Sequence, residues 1–104
     1  MEQRNNAEKI KRLIYETIDD VNQELPAGAL LTKSDDAVLL GPGSPLDSLA
    51  LVSMIVGVEQ RLQDAFNVTL SLADARAFSQ RGSPFRTVES MAHYIEMRLN
   101  ELKA

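Results

Sequence analysis

The 104-residue sequence predicts an all-α fold, a small four-helix bundle with three long helices and one short one, in a single domain spanning residues 1–104. Three observations predict it. Apolar residues recur at helical spacing over three long stretches. Capping and breaking residues punctuate those stretches. No segment alternates apolar and polar residues for long enough to make a strand.

The first helix is expected over residues 5–25. Asn5 and Glu8 have the spacing of a capping box, with Asn in place of the usual Ser or Thr. Ile10, Leu13, Ile14, Ile18, Val21 and Leu25 then form one apolar stripe, which Pro26 and Gly28 bring to an end. Residues 26–47 form a long connection with two turn-rich stretches, Thr32-Lys33-Ser34-Asp35-Asp36 and Gly41-Pro42-Gly43-Ser44-Pro45. It also carries Leu30, Leu31, Val38, Leu39, Leu40 and Leu46. A disordered linker has no need of so many apolar residues, so this loop is expected to be ordered against the core.

The second helix is expected over residues 48–66, with Asp47 as its N-cap. Leu51, Met54, Ile55, Val58 and Leu62 make its inward stripe, and Leu49, Val52 and Val56 form a second apolar row on an adjacent face. Its first half is therefore apolar over most of its circumference, broken by Ala50, Ser53 and Gly57. Such a helix is either deeply buried or binds something. Ser71 starts a short third helix over 72–79, with Leu72, Ala75 and Phe78 inward. Arg81-Gly82-Ser83-Pro84 breaks the chain. Thr87 then caps a last helix over 87–102, whose Val88, Met91, Ala92, Ile95, Leu99 and Leu102 keep the helical period.

Composition narrows the chemistry. A chain this short leaves little room for an enclosed catalytic cleft. The absence of cysteine excludes a disulfide scaffold, a thiolate metal site and a cysteine nucleophile, and a single histidine argues against a His-based zinc site. No apolar stretch reaches the ~20 residues of a membrane span, and Met1-Glu2-Gln3-Arg4-Asn5 lacks signal-peptide character, so a cytoplasmic protein without membrane insertion is expected. The net charge of −4 argues against nucleic acid as a partner. It lies entirely in residues 1–52, with nine acids against five bases, while residues 53–104 balance six against six. Among the acids of the first half, Glu16, Asp19, Asp20, Glu24, Asp35 and Asp36 have only Lys33 as a nearby base in sequence.

Several familiar motifs are missing. Gly41-Pro42-Gly43 lacks the rest of a phosphate loop, and there is no nucleophile elbow. Ser48, Asp74 and His93 follow the order of a hydrolase triad, a combination that arises by chance in chains of this size. His93 is expected at the surface or boundary of the last helix. Lys9, Lys11 and Arg12 read as a solvated helix face.

What remains is Leu46-Asp47-Ser48-Leu49, after a Gly/Pro turn and at the head of an apolar helix. A serine there is reachable at a loop–helix junction. The helix N-terminus favours a phosphate anion, and the flanking apolar residues offer a surface for an oily cargo. By local pattern alone, Ser48 serves equally well as a partner to Asp47 in capping the helix.

Asp47-Ser48-Leu49 resembles the attachment motif of acyl carrier proteins. The resemblance extends through the first helix, the leucine-bearing loop, the apolar second helix, the short third and the Thr87-Val88…Tyr94-Ile95 fourth, about residues 7–102. It implies a four-helix bundle of acyl-carrier type with no enzymatic activity of its own. It also implies that a phosphopantetheinyl transferase, using coenzyme A and magnesium, attaches 4′-phosphopantetheine covalently to Ser48. Acyl intermediates are then held as thioesters while acyl-loading and acyl-processing enzymes act on them, as in fatty acid biosynthesis and related lipid metabolism. By the same resemblance Asp47, Leu49, Val52 and Val56 take part in partner recognition, and Met54, Ile55, Val58 and Phe78 line the acyl chain. A monomer is expected.

Three departures temper what carries over. Ala50, Ser53 and Gly57 stand where the family's housekeeping members often place acids, with Arg61 beside Glu59, so the second helix is nearly neutral. Phe66 lies about one turn further from Ser48 than the family's usual aromatic. Residues 78–86, with Arg81 and Arg86 and with Arg76 just ahead, look inserted. These features favour a stand-alone, specialised carrier for a lipid or secondary-metabolite pathway. A peptidyl or aminoacyl carrier and an unmodified carrier-like interaction module are the alternatives.

Overall fold

The computed structural model describes residues 2–72 and 83–103 and contains three α-helices among them: α1 (Glu2–Asn22), α2 (Ser48–Phe66) and α3 (Val88–Lys103), with a single 3-10 turn at Ala27–Ala29. The described residues form no strand, only one isolated antiparallel bridge between Val38 and Thr87. The fold is all-α. From residue 73 onward the short helix expected over 72–79 lies outside the described residues, as does Phe78.

Helix α1 is the element on which the others pack, contacting both α2 and α3. The reason is its i, i+4 ladder of Ile10, Ile14 and Ile18, all fully buried, each such side chain contributing about 1.5–3 kcal/mol by leaving water. Its ends differ from the expected 5–25. The helix starts at Glu2, so Asn5 lies within it and is not its N-cap residue. It stops at Asn22 because that side chain turns onto the following loop, donating to the Leu31 carbonyl at 3.0 Å and accepting from the Leu31 N–H at 2.9 Å. Residues 23–25 then tighten into i→i−3 bonds, such as Glu24 N–H to the Val21 carbonyl at 3.0 Å.

The long loop is ordered and packed, as its leucines predict. Leu31, Ala37 and Leu39 are buried, Leu40 and Leu46 pack against the core, and Leu30 stays exposed. Its backbone also completes the start of α3. The Asp35 and Ala37 carbonyls accept from the Glu89 and Val88 N–H groups at 2.9 and 3.1 Å, two donors that a helix N-terminus leaves unpaired. Thr87 caps as expected, its Oγ1 accepting from the Ser90 N–H at 3.1 Å while Ser90 Oγ accepts from the Thr87 N–H at 3.0 Å. Asp35 fastens the loop to α1, accepting from Lys11 Nζ at 2.9 Å and from the Tyr15 hydroxyl at 3.0 Å. The bond from Lys11, then that from Tyr15, holds the Asp35 carboxyl below its ordinary pKa. The same bond raises Lys11, and burial followed by Asp35 raises Tyr15.

Of the 78–86 stretch, residues 83–86 are described, and they contribute to the core. Phe85 is fully buried, with its ring edge-on to Tyr94 at 5.8 Å, and Ser83 is buried with it. One aromatic between Pro84 and Arg86 carries no periodic signal, so only packing reveals it as core.

Candidate functional site

The approach to α2 is set by a turn over residues 41–44. Gly41 and Gly43 have positive φ, 99° and 93°, and the Ser44 N–H donates to the Gly41 carbonyl at 3.1 Å. With Pro42 at the second position and Gly43 at the third, this is the chemistry of a type II turn. Ser44 Oγ then braces both sides, donating to the Leu39 carbonyl at 2.8 Å and accepting from the Leu46 N–H at 3.1 Å. The brace delivers Asp47 in extended conformation, φ −84° and ψ −179°, which is N-cap geometry.

Asp47 caps α2 by itself. One carboxylate oxygen accepts from the Ala50 N–H at 2.8 Å, and the Asp47 carbonyl accepts the first helical bond from the Leu51 N–H at 2.9 Å. Ser48 is the first helical residue. Its side chain is exposed and makes no hydrogen bond among the described residues. The hydroxyl is therefore spare, which the local pattern left open. No acid follows in the first turn of α2, so the Asp47 carboxylate is the one negative side chain that α2 and its cap place at this helix start.

Beside Ser48 runs the second apolar row. Leu49 is 76% exposed, Val52 36% and Val56 41%, whereas Leu51, Met54, Ile55, Val58 and Leu62 are buried. The largely apolar circumference thus resolves into a core face and a free face. Met54, Ile55 and Val58 have no exposed surface at all and belong to the core. Of the acyl-lining set, Phe78 lies outside the described residues.

The charges near α2 have partners that the sequence order concealed. Arg61 faces α1, where it pairs with Glu16 at 3.6 Å and with Asp20; Lys33 pairs with Asp19 at 3.1 Å and Lys11 with Asp35 at 2.9 Å. Lys33 is thus one of three bases serving the acidic half. Glu59 accepts from the Leu72 N–H at 2.6 Å and ties that buried leucine's backbone to α2. Neither charge singled out on α2 is a free docking group.

His93 is exposed on α3. The two grooves it borders are lined by α1, Thr87 and α3 residues and include neither Ser48 nor any other α2 residue. Asp74 lies outside the described residues. No cluster of three or more His, Cys, Asp or Glu suited to a metal occurs among the described residues, nor is any helix there long and apolar enough to cross a membrane. In comparisons with known proteins, no family model, curated protein or solved structure matches the chain.

Proposed function

We propose that this chain is a carrier of the acyl-carrier kind, without catalytic activity of its own, in which Ser48 is the residue modified with 4′-phosphopantetheine. The observation that carries this reading is the division of labour at the head of α2. Asp47 supplies the cap, and Ser48, one residue later, presents an exposed hydroxyl without a hydrogen bond among the described residues. A serine kept only for capping would spend its oxygen on a backbone N–H.

The site suits the group. In the transfer, Ser48 Oγ forms a bond to a phosphorus of coenzyme A, the bond from that phosphorus to the departing nucleotide breaks, and the hydroxyl proton leaves to a base of the transferase. The new phosphodiester carries a negative charge at the helix start, where the first-turn N–H groups and the helix dipole favour it. When bound, the group supplies a flexible thiol for thioester formation, a function this cysteine-free chain cannot perform alone. Leu49, Val52 and Val56 give partner enzymes an apolar strip beside the attachment point, in place of the usual acidic one. With 72–79 as the short helix, the whole is a four-helix bundle, and the neutral α2 favours dedicated partners of a specialised lipid or secondary-metabolite pathway in the cytoplasm.

The test is intact mass after co-expression with a broad-specificity phosphopantetheinyl transferase. The expected result is a gain of one phosphopantetheinyl group in the wild type and none in Ser48→Ala. An unchanged wild-type mass, or the same gain in the variant, refutes the reading. An unchanged mass would leave the unmodified interaction module as the better account.

A further inference from the structure

A groove of about 230 Å³ opens beside Ser48, between the end of α1 with the turn that follows it and the first turns of α2. Val21, Glu24 and Leu25 line one side, and Leu49, Ala50 and Ser53 the other, with Asp47 at its head. The residues on both sides of Ser48 in sequence therefore belong to its wall. We propose, resting on Ser48 as the attachment residue, that the pantetheine part of the arm lies in this outer groove and does not enter the core.

Two observations support this placement. Met54, Ile55 and Val58 on the inner side of α2 have no exposed surface, so entry past them would require the core to separate. The groove's chemistry also complements the arm, which alternates methyl and methylene carbons with amide groups. Val21, Leu25 and Leu49 offer apolar contact. The Glu24 carboxylate, which takes no hydrogen bond or ion pair among the described residues, and the Ser53 hydroxyl offer acceptors for amide N–H donors. An open groove binds weakly, but a short tether sets the local concentration in the mM range, so weak contact suffices. Val52 and Val56 do not line the groove and stay available to a partner.

The experiment compares unmodified and phosphopantetheinylated protein by methyl NMR, on samples whose intact mass confirms loading. The expected result is a set of NOEs from the arm's geminal methyls to Val21, Leu25 and Leu49, with the Ile55 and Val58 methyl resonances unmoved. Leu25→Ser and Ser53→Arg, both at solvent-accessible positions, are expected to lose those NOEs. Absence of NOEs in the loaded wild type overturns the proposal, as do NOEs to Val52 and Val56 or to Met54, Ile55 and Val58. Failure of loading overturns the carrier reading and this one together. The mass measurement separates that case from an arm that is attached but lies elsewhere.

Discussion

Replacing Asp47 by Ala removes the 2.8 Å bond to the Ala50 N–H and leaves that donor at an exposed helix start. Loss of such a cap costs about 1 kcal/mol. Removing a carboxylate from the positive end of the helix adds ~0.3–1 kcal/mol, taken near the lower end because Asp47 is exposed. The expected loss is about 1.5 kcal/mol, or ~6–12 °C in Tm for a domain of this size. Asp47→Asn keeps an acceptor oxygen and gives up the charge, so it should lose only ~0.3–1 kcal/mol. Ser48→Ala removes a hydroxyl that bonds to nothing among the described residues and adds a better helix former, so its stability should stay within ~0.5 kcal/mol of wild type. Urea unfolding followed by far-UV circular dichroism, with unchanged m-values, reads all three. The reasoning fails if Ser48→Ala loses a full kcal/mol while Asp47→Ala does not. Ser48 would then be the cap, and the spare hydroxyl on which the carrier reading depends would not exist.

Two further predictions concern the scaffold. An Ala at position 57 would place its Cβ 3.0 Å from Thr17 Cγ2, and Thr17 is held in place by its bond to the Leu13 carbonyl at 2.8 Å. Gly57→Ala should therefore lose about 1 kcal/mol despite its better helix propensity, and in a Thr17→Ser background that loss should vanish; an additive double-mutant cycle would contradict the close approach. Asp35 has its folded pKa lowered by Lys11 and Tyr15, so its contribution is fully present above the unfolded value of ~3.9 and is lost as pH falls through the folded one. Asp35→Asn should flatten the acid limb of the urea midpoint between roughly pH 2 and 6, and an acid limb as steep as the wild type's would rule out this anchor. On the alkaline side, the contributions of Lys11 and Tyr15, whose folded values are raised, are present below their ordinary values and disappear as pH rises through the raised ones.

The sequence by itself determined the three long helices and their inward faces, because periodicity is local information: Ile10, Ile14 and Ile18, or Leu51, Ile55, Val58 and Leu62, declare a buried stripe without knowledge of what buries it. It also determined the Asp47 and Thr87 caps and the 41–44 turn, where a few adjacent residues carry the whole geometry. The end of α1 was not legible, since Asn22 leaves the helix to bond Leu31, a partner nine residues away. Phe85 was invisible for a related reason: an isolated aromatic shows its burial only once Tyr94 and the core surround it. The ion pairs of Arg61 with Glu16 and Asp20 span α1 and α2, so a count of neighbouring charges could not find them. At the site itself, the sequence supplied Asp47, Ser48 and the Leu49, Val52 and Val56 row. Only the tertiary structure decided that the cap falls to Asp47 alone, that the Ser48 hydroxyl is spare, and that the open space beside it lies between α1 and α2. Those outcomes depend on where a second helix and a braced loop come to rest, and no local pattern encodes that.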